Sequence, residues 1–187
     1  MAKTKRLLDV ILSILLIIIT SPVMAAIAVA IKLDTPGPVL YNRLPSGLRV
    51  YRIGERGAPF RYFKFRSMIH GNSGQADEIT RVGNFIRRWH LDELPELFMV
   101  LSGRMSLVGP RPCTYESLRF YPDDYFLDWQ VKPGMTGPSQ LRGKSISVAE
   151  KIETDLRYIK TRTVVQDFIF IARTPVTIFR HRHQPHF

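Results

Sequence analysis

Cysteine is almost absent from this 187-residue chain. Cys113 stands alone, so no internal disulfide can form and stability must come from packing, a composition consistent with a reducing compartment. Acidic residues are also scarce: 16 against 27 Lys and Arg, a formal net charge of +11. That deficit suits an anionic partner, whether nucleic acid, anionic lipid or a phosphorylated substrate. Internal repeats and low-complexity tracts are missing, which excludes a repeat array. What the chain does have is apolar residues, 45% of the total, enough for a real core and too many for wholesale disorder.

Charge vanishes altogether between Val10 and Ile31. A run of that length can cross the hydrocarbon core as a helix, which needs roughly 20 residues. A cleaved signal peptide has a shorter apolar stretch, and here apolar sequence continues past the small residues Met24-Ala25-Ala26. Ser21-Pro22 interrupts the run near its middle. Proline deprives the carbonyl of Ile18 of its helical donor, so a kink is expected, with the Thr20 or Ser21 hydroxyl supplying the missing bond. Lys3, Lys5 and Arg6 precede the run, and Lys32, Arg43, Arg49 and Arg52 follow it. Basic flanks prefer the cytoplasm, so a re-entrant hairpin over 1–33 accounts for both flanks better than a single span does. Residues 34–187 then form a cytoplasmic domain carrying membrane-surface helices.

That domain opens at the turn-rich Asp34-Thr35-Pro36-Gly37-Pro38. Extended segments are expected over Val39–Arg43 and Phe60–Met68. In the second, alternation puts Phe63 and Phe65 on one face and Lys64 and Arg66 on the other, where two cations could hold a phosphate or simply be solvated. Residues 70–79 read as a mobile loop. Helices are expected over Val82–Trp89, Asp92–Leu101 and Val148–Lys160, with Asp92 at or near an N-cap and Pro95 in the first turn. Val164 to Phe179 is apolar but broken by Asp167, Arg173 and Pro175, which suits a helix on the membrane surface or against the core. The basic tail from Arg180 to His183 suits anionic headgroups.

The adjacent acids Asp92 and Glu93, followed by proline at a helix start, are the chemical feature of interest. A carboxylate beside a bound phosphate can attack phosphorus or bind a divalent metal, and adjacent acids could divide those tasks. Arg111, in a proline-braced turn, offers a planar fork for phosphate oxygens. Each residue alone is compatible with a cap or a surface ion pair.

Taken together, Leu91-Asp92-Glu93-Leu94-Pro95-Glu96-Leu97 and Met105-Ser106-Leu107-Val108-Gly109-Pro110-Arg111-Pro112 resemble the signature of the bacterial sugar transferases, the monotopic phosphoglycosyl transferases. Phe63-Lys64-Phe65-Arg66-Ser67-Met68 is similar to the family's basic strand motif. Lys132-Pro133-Gly134-Met135-Thr136-Gly137 with Gln140, the pair Asp155 and Tyr158, and Ser21-Pro22 continue the match across nearly the whole chain. The resemblance implies a small mixed α/β domain with a short β-hairpin, embedded in one leaflet by a re-entrant helix and amphipathic helices, on the cytoplasmic face of the bacterial inner membrane. It implies transfer of a sugar 1-phosphate from a UDP-sugar to polyprenol (undecaprenyl) phosphate, releasing UMP, as the first membrane step of a glycoconjugate pathway. Asp92 would be the nucleophile, forming an aspartyl phospho-sugar, and Glu93 the ligand of Mg2+. Lys64, Arg66, Arg87 and Arg111 would bind phosphate; Thr136, Gln140 and Asp155 match further family positions near substrate.

Met99 departs from a frequent Asn, and Leu141-Arg142-Gly143-Lys144 departs from the usual Val-Asn-Gly-Arg; neither touches the expected nucleophile. Cys113 has no activating neighbour in sequence and reads as structural. With no second enzyme fused to it, the chain resembles the small, minimal form of the family, and a homodimer stays open. Two rivals are another membrane phosphotransferase acting on a lipid head group and a non-enzymatic basic tether. The aromatics form no evident stacking platform for nucleic acid. The sugar is not written in these motifs.

Overall fold

A computed structural model of the chain describes residues 2–44, 46–69, 77–122, 125, 129–143 and 146–181. Most of the loop expected over 70–79, the Lys144 position and the tail beyond 181 lie outside the described residues. The elements run α1 (Ala2–Asp34), β1 (Leu40–Tyr41), β2 (Tyr51–Ile53), β3 (Pro59–Arg61), β4 (Lys64–Phe65), β5 (Met68–Ile69), β6 (Glu78–Ile79) and α2 (Arg81–Arg88). A 3-10 turn over Leu91–Glu93 leads to α3 (Glu96–Leu101), β7 (Ser106–Val108), β8 (Gly134–Thr136), α4 (Pro138–Leu141), α5 (Val148–Thr161) and α6 (Val164–His181). The strands pair in small two-stranded sheets: β1 with β4, β2 with β3 and β5 with β6 antiparallel, β7 with β8 parallel. This is the mixed α/β class expected.

The helix α1 is continuous through Ser21-Pro22, the pair at which a kink is expected. The local chemistry explains its persistence. Ser21 Oγ donates to the Ile18 carbonyl at 2.9 Å, the group that proline leaves without a donor, and Thr20 Oγ1 donates to Leu16 O at 2.7 Å. One stripe of α1 faces the domain. Asp9, Ser13, Met24, Ile27 and Ile31 are buried at helical spacing, while Leu7, Ile11, Ile14, Ile18 and Val29 remain exposed on the outside. It is long and apolar enough to cross a membrane, with a mean hydropathy of 2.7 over its most apolar 18-residue stretch.

Both ends of α1 are tied into the same domain. Arg6 donates from Nη1 to Val100 O at 2.6 Å and from Nη2 to Leu101 O at 2.7 Å, two carbonyls in the last turn of α3. Lys5 meets Asp167 of α6 at 2.6 Å. Asp9 Oδ1 accepts from Ser106 Oγ at 3.1 Å and Leu107 N at 3.0 Å on β7. At the far end, Asp34 Oδ2 accepts from Val82 N at 3.1 Å in the first turn of α2.

Two clusters make the core. The larger gathers Met99, Val100, Met105, Val108, Trp129 and Tyr158; the smaller joins Met24, Ile27 and Ile31 of α1 to Phe65 and Ile86. The helix α5 begins with a capping box, Ser147 Oγ accepting from Glu150 N while the Glu150 carboxylate accepts from Ser147 N.

Candidate active site

Asp92 occupies the 3-10 turn rather than the cap of the following helix; α3 begins at Glu96, with Pro95 at its cap. His90 causes the difference. Its left-handed backbone, φ 53°, turns the chain sharply out of α2, and Leu94 N then donates to Leu91 O at 3.3 Å in the tighter i, i+3 pattern. The turn places three carboxylates differently. Asp92 is 4% exposed, and Lys64 Nζ on β4 donates to its Oδ2 at 3.0 Å. Among the described residues its Oδ1 accepts no hydrogen bond. Glu93 Oε1 accepts from Arg111 Nη2 at 2.8 Å, and His90 Nδ1 stands 3.6 Å from Oε2. Glu96 is buried, and Tyr62 Oη donates to its Oε1 at 2.5 Å.

These partners set the protonation states. Burial pushes Glu93 up, but Arg111 and then His90 outweigh it and hold the carboxyl far below the usual range. Burial and the Glu93 charge push Glu96 the other way, up to about 8, so it carries a proton at neutral pH. One charged pair, Glu93 with Arg111, thus lies beside a neutral acid.

Arg111 owes its position to close backbone packing. Ser106 N donates to Pro133 O at 2.8 Å, Gly109 N to Thr136 O at 2.9 Å and Gly134 N to Pro110 O at 2.9 Å. A Cβ on Gly134 would fall 2.0 Å from Gly109 N, and one on Gly109 would fall 2.4 Å from Lys132 O, so side chains are excluded where β7 meets β8. The turn emerging from this crossing carries Arg111 over Glu93. Beside it opens a cavity of about 280 Å³ lined by Arg52, Tyr62, Glu96, Arg111, Cys113 and Lys151. Burial pushes the Cys113 thiol up, in keeping with a structural role.

The structure therefore brings Lys64, Asp92, Glu93 and Arg111 together, as expected. It turns Arg66 elsewhere, to Thr35 O and Oγ1 at 2.9 Å and Pro36 O at 2.6 Å, because β4 ends at Phe65 and the alternation stops there. Arg66 braces the exit from α1. Arg87 donates to Met68 Sδ at 3.0 Å. Thr136 Oγ1 lies 2.7 Å from Thr174 Oγ1 and links β8 to α6; Gln140 donates to Gly134 O and Met135 O at 3.3 Å. Asp155 is 0% exposed, and burial raises its carboxyl to about 6. Sequence reasoning missed Glu96, Tyr62 and His90. Glu96 could have been found, since it sits four positions after Asp92 within the same motif and hence within reach across a helical turn. Tyr62 and His90 carried no such signal.

The family model described as bacterial sugar transferase matches residues 1–181, and the chain belongs to that family. A UDP-glucose:undecaprenyl-phosphate glucose-1-phosphate transferase of Escherichia coli (strain K12) is 39% identical over 187 residues, covering 91% of this chain and 39% of that protein. One of the same description from Caulobacter vibrioides is 37% identical, covering 91% of this chain and 67% of its own length. An undecaprenyl-phosphate galactose phosphotransferase of Salmonella typhimurium is 34% identical, covering 94% and 40%. The chain spans about two fifths of the Escherichia coli and Salmonella proteins.

Proposed function

We propose that this protein transfers a sugar 1-phosphate from a UDP-sugar to polyprenol phosphate, undecaprenyl phosphate in particular, through a covalent intermediate on Asp92. The observation that carries the reading is the buried Asp92 carboxylate, held through one oxygen by Lys64 next to the Glu93–Arg111 pair. In the first step Asp92 attacks the β-phosphorus. An Asp92–phosphorus bond forms, the bond from that phosphorus to the bridging oxygen breaks, and UMP leaves with the electron pair. In the second, a phosphate oxygen of the polyprenol carrier attacks the same phosphorus and Asp92 departs as carboxylate. Lys64 holds and orients the Asp92 carboxylate through Oδ2. Arg111, aligned by Glu93, offers its remaining donors to phosphoryl oxygens as charge shifts. Arg52 and Lys151 extend the cationic lining of the adjoining cavity, which suits the rest of a diphosphate.

Among the described residues no group of three acidic, His or Cys side chains could hold a metal. The adjacent carboxylates of Asp92 and Glu93 fit Mg2+, which is bound by one or two carboxylates plus substrate phosphates rather than by an all-protein cage. Glu93 would hold it together with Asp92, and when bound it would neutralise phosphoryl charge.

The proposed membrane placement is supported by α1. A helix of 33 residues has a contour of about 50 Å, well beyond the hydrocarbon thickness. Its two ends nevertheless grip one domain, through Arg6 and Asp9 at one end and Asp34 at the other. A crossing helix would separate those ends. This supports a monotopic placement in one leaflet of the inner membrane, both flanks cytoplasmic, with α1 continuous through Ser21-Pro22.

The test is UMP release by purified protein with Mg2+, undecaprenyl phosphate and a panel of UDP-sugars. UDP-glucose comes first, because relatives from several bacteria are described as using it. Expected is release with one donor, abolished by EDTA and reduced about a thousandfold or more in Asp92→Asn. Undiminished release in the variant would remove Asp92 as nucleophile.

A further inference from the structure

A cavity of about 1000 Å³, none of whose lining residues belongs to the Asp92 site, runs between α4, α5 and α6. Arg142, Arg157, Arg173 and Arg180 line it against a single carboxylate, Glu153. Arg157 is paired with Glu153 at 2.8 Å, and Arg142 donates to Thr154 Oγ1 at 3.1 Å. Arg173 and Arg180 make no hydrogen bond or ion pair among the described residues. They alternate with Ile169 and Val176 along one face of α6, so the groove pairs unneutralised guanidinium with exposed apolar surface. A soluble anion would use only the first of these. An amphiphile with a phosphate head uses both.

The position of α6 says where such an amphiphile comes from. Lys5 of α1 is bound to Asp167 of α6 at 2.6 Å, and Leu8 and Leu12 of α1 share a cleft with Val164 and Phe168 of α6. Apolar residues of α1 therefore adjoin those of α6 at this cleft, and Val165, Phe168 and Phe179 of α6 are exposed. We infer that the groove seats the headgroup of an anionic glycerophospholipid of the bilayer, its phosphate on Arg173 and Arg180 and its proximal acyl chains on Ile169 and Val176. The inference rests on the leaflet placement proposed above and adds a lipid site separate from the two substrates.

The experiment is native mass spectrometry of the full chain in detergent micelles titrated with phosphatidylglycerol, with phosphatidylcholine as the neutral control. Wild type should retain phosphatidylglycerol preferentially. The double variant Arg173→Gln/Arg180→Gln should retain it about tenfold less well, and Arg173→Lys/Arg180→Lys should keep most of the binding. Arg49→Gln/Arg61→Gln, which removes equal charge elsewhere, should bind as wild type. UMP release in the same micelles should be unchanged in the glutamine double variant; its absence in wild type would count against the proposed reaction and leave the lipid site standing. Equal retention by wild type and the groove variant, an equal loss in the Arg49 and Arg61 control, or displacement of phosphatidylglycerol by equimolar polyprenol phosphate would overturn the inference.

Discussion

Asp92, Glu93 and Glu96 share one short run of chain, yet each meets a different neighbour: Lys64, Arg111 and Tyr62. Glu96 bears on stability in the opposite sense to Glu93. Its carboxyl is raised to about 8 in the folded protein from an ordinary value of 4.5. Between those values the unfolded chain has released the proton that the folded chain keeps. Stability therefore falls as pH rises through that window, and levels off above it. Glu96→Gln preserves the shape and the partner for Tyr62 but cannot ionise. Its melting temperature should exceed that of wild type by a margin that grows from pH 5 to pH 8, read by thermal unfolding in micelles. A constant margin would show that Glu96 is ionised in the fold.

The parallel pair of β7 and β8 is the element on which Arg111 depends. A Cβ on Gly134 meets backbone rather than a flexible side chain, so nothing can yield cheaply. Gly134→Ala should cost about 3 kcal/mol or more and should appear as lost folded protein in a thermal or proteolytic assay, not as a selective loss of turnover. Elements of this kind were partly legible in the sequence. The capped α5 and the amphipathic α2 follow from local rules, and the placement of Lys64 near Asp92 followed from motif resemblance. Neighbour-dependent features were hidden. Nothing local says that β4 stops at Phe65 and frees Arg66 to clasp Thr35, or that His90 takes a left-handed turn and moves Asp92 off the helix cap. The proline rule correctly marked Ile18 O as the group needing a donor; Ser21 supplies it, as that rule allowed, and the helix runs on.

At the scale of the whole molecule, α1 is part of the domain's core as well as its apolar outer surface: Met24, Ile27 and Ile31 pack with Phe65 and Ile86. The proposed placement predicts that tags at Met1 and Phe187 are both shielded from a membrane-impermeant reagent applied to intact cells. Labelling of one end alone would establish a span and remove the leaflet reading.

The bonds that hold the start of α1 also bear on how the protein is made. Asp9 finds its partners 97 and 98 residues later, and Lys5 finds Asp167 162 residues later. At ordinary synthesis speeds Asp9 waits on the order of ten seconds for its partners to leave the ribosome. Throughout that interval its carboxylate and the Arg6 guanidinium need water. On the proposed leaflet placement, the nascent helix lingers at the headgroup boundary, and its final seating in the bilayer coincides with the folding of the domain.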